Sequence, residues 1–336
     1  MKAWISTAAG GPETLTFGDL PDRIPQRGEV LVSVKACGLN YPDLLMMRDG
    51  YQFRMPRPFA PGSEVSGVVA AIGEGVADFA VGDRVFGLCT TGGLAEQAIL
   101  RARDAFHLPA RISFEDGAGF LFTYGTSHYA LTRRGNLARG EKVLVLGAGG
   151  GIGLSAVEIA SALGAVVTAA ASDETKLDLA RSRGAASAMA YPRELEPDAA
   201  KGLGQAFRQA AGDGGFDVVV DPVGGAYCEP ALRATGWHGR YLVIGFAAGI
   251  PKVPLNLPLL KGSSIVGVDW YNFGMRDPAA RARDVEALVA MIVDGRIKPS
   301  PSTVVGFAEA LDALVMLDAR AIAGKVVVTL EHFPPG

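Results

Sequence analysis

The sequence holds 336 residues, 49% of them hydrophobic and 20% charged, which is enough apolar material for one large or two ordinary domains and excludes a disordered chain. A net charge of −3, with no concentrated run of Lys and Arg, argues against a nucleic-acid partner, because a phosphate backbone needs a concentrated positive field. The three cysteines, Cys37, Cys89 and Cys228, are too scattered for a disulfide framework or a C-x-x-C metal site, and reduced thiols in the cytoplasm fit best.

The N-terminus, Met1-Lys2-Ala3-Trp4-Ile5-Ser6-Thr7, lacks the long apolar core of a signal peptide. The most apolar stretch, residues 155–171, contains Glu158, so no membrane span is expected. Up to about residue 120, short β-rich runs at 29–35, 65–72 and 83–87 are separated by Gly28, Gly62, Gly73-Glu74-Gly75 and Gly82. That texture predicts a small barrel or sandwich. From about residue 123 the rhythm becomes strand, helix, strand. Residues 142–146 form a continuous apolar run, as in a strand buried on both faces. A helix at 152–163, a strand at 165–169 and a helix at 174–183 follow. Further strands are expected at 186–190, 216–220, 240–244 and 264–268, which predicts βαβ units and a parallel sheet. The tail adds helices at 279–294 and 308–317 and a closing strand at 325–330.

Between the 142–146 strand and the next helix lies Gly147-Ala148-Gly149-Gly150-Gly151-Ile152-Gly153. Such a loop lets backbone N–H groups and a helix N-terminus approach a pyrophosphate without Cβ clashes. Its spacing is A-x-G-x-x-G at Ala148, Gly150 and Gly153 rather than strict G-x-G-x-x-G. The second strand ends at Ala171-Ser172, without the acid that would bind an NAD ribose, so a 2′-phosphate would meet no fixed negative charge there. Asp173 and Glu174 fall in the next helix, where acids also favour the dipole. Ser172 is either a phosphate donor or a helix N-cap, and Lys176 either a phosphate ligand or a solvated lysine.

Five ordered segments carry a resemblance to the medium-chain dehydrogenase/reductases. They are Gly38-Leu39-Asn40-Tyr41-Pro42-Asp43, Pro61-Gly62-Ser63-Glu64-Val65-Ser66-Gly67, Thr123-Tyr124-Gly125-Thr126, the glycine loop, and Ala323-Gly324-Lys325-Val326-Val327. The resemblance runs nearly end to end. It implies an α/β fold: a GroES-like, β-rich catalytic domain at 1–122 and 261–336, and a Rossmann, doubly wound parallel-sheet domain at 123–260. Zinc alcohol dehydrogenases of that superfamily carry metal ligands where Asn40, Ser63 and Ala118 stand, and they have a four-cysteine structural lobe that is missing here. Asn, Ser and Ala cannot supply a zinc site, and His107, His128, His238 and His332 show no ligand spacing, so no metal is expected.

The zinc-free quinone oxidoreductase group is the nearer resemblance, on Asn40, Tyr51 and Gly150-Gly151-Ile152-Gly153. It implies NADPH as cofactor, with Ser172, Lys176 and Tyr191 toward the 2′-phosphate. Further cofactor contacts are implied for Thr126, Phe246, Arg320 and Lys325. The implied activity is hydride transfer to quinones or α,β-unsaturated carbonyls. Asn40 would orient the nicotinamide ribose or the substrate oxygen, and Tyr51 would donate a hydrogen bond or relay a proton. Cys37 beside this motif reads as a buried small apolar residue. The alternatives are a reductase of enoyl thioesters or other activated alkenes, and a non-catalytic NADPH-binding structural or RNA-binding protein. The family analogy further implies a homodimer joined along the sixth strand of the parallel sheet.

Overall fold

The computed structural model of the chain describes residues 1–330. His332 lies outside them. The chain divides into two compact units, Met1–Phe122 with Pro299–Gly336, and Thr123–Lys298. The second expected boundary, 260/261, therefore moves to 298/299. Strand Ser264–Gly267 belongs to the parallel sheet, and helix Pro278–Val293 stays with it.

The first unit is built on a seven-stranded sheet. Its longest strand, Glu29–Gly38, pairs with Gln97–Arg101 along its first half and with Val326–Thr329 at its end. Strand Glu64–Ile72 lies along its other edge. The apolar run Val326-Val327-Val328 is fully buried, which suits a strand in the middle of a sheet: Val326 and Val328 join the core of Val32, Val34, Leu44, Met47, Val65 and Phe307, and Val327 packs on the other side with Ala36 and Ala118. Register matters here: Val327 faces Gly38, and the Leu39 N–H donates to the Val326 carbonyl at 3.0 Å. The tail is thereby stitched to the start of the Asn40 segment. Gly38 is required by a close approach, since a Cβ there would lie 2.1 Å from the Ala118 carbonyl oxygen.

The second unit holds a six-stranded, all-parallel sheet ordered Ser187–Ala190, Val166–Ala171, Lys142–Leu146, Phe216–Asp221, Thr235–Val243, Ser264–Gly267. In chain order this is 3-2-1-4-5-6, the doubly wound order, with its reversal at the first strand, Lys142–Leu146. Ligands of such sheets bind beyond the strand ends at that reversal, and the glycine loop leaves the Lys142–Leu146 strand there. Helix Pro197–Ala211 is absent from the sequence expectation. It buries Leu203, Phe207 and Ala211 at i, i+4, i+8, but Gly202 and Gly204 interrupt the pattern that would announce it.

Candidate active site and cofactor loop

Asn40 lies two residues past the end of the long strand and caps helix Tyr41–Met47, with its backbone N–H bound to the Asp43 carboxylate at 2.8 Å. Its side chain is buried and fully engaged. The Nδ2 group donates to the Gly38 carbonyl at 3.2 Å and to Glu64 Oε2 at 3.0 Å. The Oδ1 atom accepts from Lys325 Nζ at 2.6 Å, and Lys325 also binds Glu64 Oε2 at 2.7 Å. Glu64, with no exposed surface, takes the Phe122 N–H on its other oxygen at 2.8 Å. Ser63 donates to Asp43 at 2.8 Å. Asn40 and Ser63 thus hydrogen-bond inside one buried polar cluster, and Ala118 touches it through Gly38.

Burial raises the Asp43 carboxyl to about 6, against the hydrogen bonds from Ser63 and the Asn40 backbone. Cys37, as expected, is a buried filler: its Sγ occupies space that a Cβ on Gly62 or Gly93 would need. Burial, then the nearby Asp43 charge, pushes its thiol well above the usual range, and the same causes push the Cys89 thiol up to about 12. Neither is a reactive thiolate. Tyr51 sits in the loop after helix Tyr41–Met47, its ring edge-on to Phe53 at 5.1 Å.

In the second unit, Gly150 caps helix Gly151–Ala162, so Gly151, Ile152 and Gly153 form its first turn. A Cβ on Gly153 would lie 2.1 Å from the Gly147 carbonyl oxygen, and one on Gly149 would lie 2.3 Å from Lys176 Cβ. The loop is therefore folded back on itself, with the Lys176 stem laid across Gly149. Thr126 lies on helix Leu121–His128, which is tied to the loop helix through Ser127, whose hydroxyl donates to the Ile152 carbonyl at 3.1 Å.

Helix Glu174–Ser182 is capped by Asp173, not by Ser172: the Asp173 carboxylate accepts the Lys176 N–H at 3.1 Å. Ser172 instead donates to Asp173 at 3.0 Å and accepts from Lys176 Nζ at 3.2 Å. Burial alone would raise the Asp173 carboxyl, but the hydrogen bonds from Lys176 and Ser172 outweigh it and hold it below the usual carboxylate range. Tyr191, expected near the same phosphate, accepts the Gly147 N–H on its hydroxyl at 3.1 Å and packs on Tyr227. Phe246 is half exposed in the loop after strand Thr235–Val243, and Arg320 is exposed at a positive φ of 52° after helix Ala310–Asp318.

The structure thus joins Asn40 to Lys325, and Lys176 to Ser172 and the glycine loop. Lys325 meets Asn40 and Glu64, a pairing that its expected cofactor role did not foresee. Asp43 and Glu64 carry the cluster although the sequence offered no role for them. The available signal was an acid inside each of two quoted motifs, three residues after Asn40 and one after Ser63.

Two family models match the chain: an alcohol dehydrogenase GroES-like domain over residues 26–110 and a zinc-binding dehydrogenase over residues 151–291. The second span contains none of Asn40, Ser63 and Ala118. Quinone oxidoreductase-like protein 2 of Bos taurus is 36% identical over 94% of this chain and 89% of the relative. Among solved structures, the quinone oxidoreductase from Thermus thermophilus, determined also as its complex with NADPH, is 36% identical, covers 98% of this chain and 100% of its own, and superposes with a TM-score of 0.79. CurK enoyl reductase superposes with a TM-score of 0.84 at 26% identity, covering 98% and 99%. The chain is an oxidoreductase and belongs to the quinone oxidoreductase group of the medium-chain dehydrogenase/reductase superfamily.

Proposed function

We propose that the chain reduces quinones or α,β-unsaturated carbonyls with NADPH and without a metal. The observation that carries this is the Lys325 ammonium between Asn40 Oδ1 and Glu64 Oε2, at a place where zinc relatives keep a ligand. A neutral amide and a hydroxyl, both already hydrogen-bonded, are poor zinc ligands, and an ammonium already balances the Glu64 charge.

The second unit fits a phosphate-bearing dinucleotide on its own geometry. A Gly loop too tight for any Cβ at Gly153, in which the Gly150 N–H closes a turn on the Gly147 carbonyl at 2.9 Å, brings the first-turn N–H groups of Gly151, Ile152 and Gly153 toward a pyrophosphate. Ser172 and Lys176, held together at the end of strand Val166–Ala171, supply a hydroxyl and a cation for a 2′-phosphate. Tyr191 shapes the loop through Gly147, and family resemblance adds Thr126, Phe246 and Arg320. NADPH, when bound, supplies the hydride. A quinone or enone receives it into a conjugated system and spreads the charge itself, so little polarisation is asked of the protein. Tyr51 would hydrogen-bond to the developing oxyanion or relay a proton.

Steady-state kinetics with one quinone, one enone and one primary alcohol test this. Turnover is expected on the first two, and Tyr51→Phe should slow the enone more, because its enolate must be protonated. Brisk alcohol oxidation with NADP⁺, without added metal, would overturn the mechanism. A second reading, reduction of enoyl thioesters, draws on the likeness to CurK enoyl reductase. Preference for an acyl thioester over every quinone would favour it.

We further propose a homodimer in the cytoplasm. Strand Ser264–Gly267 ends the parallel sheet; exposed Ile265 lies on it, Leu259 and Leu260 on the preceding helix Asn256–Lys261, and Leu255 at that helix's N-cap. A strand edge that no other described strand pairs, beside apolar side chains, suits a second copy of the chain. Sedimentation at micromolar concentration should give a dimer, and Ile265→Arg should split it; monomer alone would remove the idea. The three cysteines are free and buried, which agrees with a reducing compartment. No helix of the described residues is long and apolar enough to cross a membrane.

A further inference from the structure

Three helices of the second unit end around one cavity. Helices Pro197–Ala211, Cys228–Ala234 and Asn256–Lys261 carry Arg208, Arg233 and Lys261 in their last turns. These side chains and Trp237 line a cavity of about 310 Å³, and among the described residues no Asp or Glu lines it. It lies at the amino ends of strands Phe216–Asp221 and Thr235–Val243, whereas the glycine loop leaves the carboxyl end of strand Lys142–Leu146. In an all-parallel sheet these are opposite ends. The floor is bare backbone: a Cβ on Gly236 would lie 2.2 Å from the Gly214 carbonyl oxygen, and one on Gly215 would lie 2.7 Å from Gly236 Cα. Trp237 stands on a bulge, because the pairing jumps from Thr235–Phe216 to Arg240–Val218 and residues 236–239 face Asp217 alone. Its ring is 69% exposed and stacks on His238 at 5.0 Å.

The cations exceed what the fold uses. Helix carbonyl ends favour cations, but two lysines already satisfy them. Lys142 Nζ donates to the Ala211 and Asp213 carbonyls at 2.8 and 3.1 Å, and Lys261 Nζ to the Arg233 and Thr235 carbonyls at 2.7 Å each. Lys261 keeps a third N–H. Arg233 is paired with Glu229 at 2.6 Å, an exposed pair that contributes little and exchanges readily. Among the described residues the Arg208 side chain has no hydrogen bond or ion pair. Burial, then the charges of Arg208 and Arg233, lowers the Lys261 pKa, as expected where cations gather without an acid between them.

We propose that this cavity binds a small organic anion, a phosphate monoester joined to a planar ring, with Arg208, Arg233 and Lys261 taking the phosphate and Trp237 the ring. Two guanidinium forks and an ammonium offer more donors than a carboxylate can use, and a phosphate has three oxygens to receive them. The exposed indole supplies a stacking face, and the volume is that of a small-molecule site.

The test is calorimetric titration of the full chain, saturated with NADP⁺ so that the cofactor's own phosphate sites are filled. The probes are uridine monophosphate, inorganic phosphate and uridine. Uridine monophosphate should bind with a Kd below about 1 mM, and each of the other two at least tenfold more weakly. Arg208→Gln should weaken it by about tenfold or more, the scale of one charge-assisted hydrogen bond. Trp237→Leu should weaken uridine monophosphate but not inorganic phosphate. Both side chains are exposed, so both variants should fold, and quinone turnover without the probe should be unchanged in each. Failure of uridine monophosphate to bind the NADP⁺-saturated chain would overturn the proposal, as would an affinity indifferent to Arg208→Gln. Inorganic phosphate binding as tightly as uridine monophosphate would overturn the role of the ring, and uridine binding as tightly would overturn that of the cations.

Discussion

The polar cluster of the first unit and the glycine loop of the second solve opposite problems. The cluster buries two carboxyls, an ammonium, an amide and a hydroxyl, and uses side chains to satisfy side chains. The loop ties up its donors at Gly147, Ala148 and Gly150 and uses the absence of side chains to keep the helix start at Gly151–Gly153 approachable. In the cluster, removing a partner strands a buried charge, which is costly. In the loop, adding an atom is the costly change. The rim around Lys176 lies between these extremes: its charges are partly exposed and their mutual bonds can be exchanged for others.

This contrast predicts that the largest single effect comes from the smallest addition. A Cβ at Gly153 would meet the Gly147 carbonyl oxygen at 2.1 Å, and that atom is backbone, which cannot swing away. Gly153→Ala should cost about 3 kcal/mol or more of stability, the upper range for overpacking, and NADPH binding should fall with it. Gly202, on helix Pro197–Ala211, meets nothing within 4 Å, so Gly202→Ala should instead stabilise by about 1 kcal/mol through helix propensity. Chemical denaturation of the two variants checks both signs. Equal effects would mean that the loop does not fold back as described.

In the cluster, the prediction concerns pH. The Asp43 carboxyl stands at about 6 instead of 3.8, with Glu64, Lys325, Cys37 and Cys89 facing it. A raised acid binds its proton more tightly when folded. Its contribution is therefore fully present below about pH 3.8 and is lost as pH rises through 6. The shift corresponds to roughly 3 kcal/mol. Asp43→Asn cannot ionise, so its stability relative to wild type should climb by that order between pH 4 and 7. The slope carries the test, because the amide also changes the bond to Ser63. Parallel pH curves would show that Asp43 is not raised.

How far the sequence revealed each region follows from how each is assembled. The glycine loop is local: strand, small residues and helix are consecutive, so Gly150, Gly151, Ile152 and Gly153 are legible as they stand. The cluster is not local. Lys325 reaches Asn40 across 285 positions, through one strand register that places Val327 opposite Gly38. Residue types singled out Asn40 and Ser63, but not that Lys325 meets Asn40 and Glu64 there. Ser172 shows the limit of local reading as well. Both it and Asp173 are good caps, and only the backbone decided that Asp173 takes the Lys176 N–H while Ser172 faces the lysine head.

At the rim, the expected effects are intermediate. Lys176→Met keeps the stem that covers Gly149 and removes only the charge. It should weaken NADPH by about 1.5–3 kcal/mol, or about 10- to 150-fold, and NADH far less. Asp173→Asn preserves a good N-cap but removes the carboxylate that now holds Lys176, at 3.0 Å. It should move preference further toward NADPH, because a phosphate would no longer compete with Asp173 for the lysine. Fluorescence titration with both cofactors separates these outcomes. Equal losses for NADPH and NADH in Lys176→Met would make that lysine a structural cover for the loop.

The smallest effect should come from Tyr191, and it bears most directly on whether the two regions differ in kind. Its hydroxyl accepts the Gly147 N–H at 3.1 Å, which makes it a side chain satisfying the loop's backbone. Tyr191→Phe keeps the ring against Tyr227 and leaves that N–H without its acceptor. The cost in stability should be about 1 kcal/mol, the net worth of an ordinary hydrogen bond, with water as a partial substitute. If Tyr191 acts on the cofactor only by shaping the loop, NADPH and NADH should weaken together and slightly, since both carry the pyrophosphate that the loop faces. If it binds the 2′-phosphate itself, as family resemblance suggests, the loss should fall on NADPH alone. The hydrogen bond to Gly147 favours the first outcome. An NADPH-specific loss of about tenfold or more, the scale of one charge-assisted hydrogen bond, would show that the hydroxyl leaves Gly147 when the cofactor binds, and that the loop exchanges partners as readily as the rim.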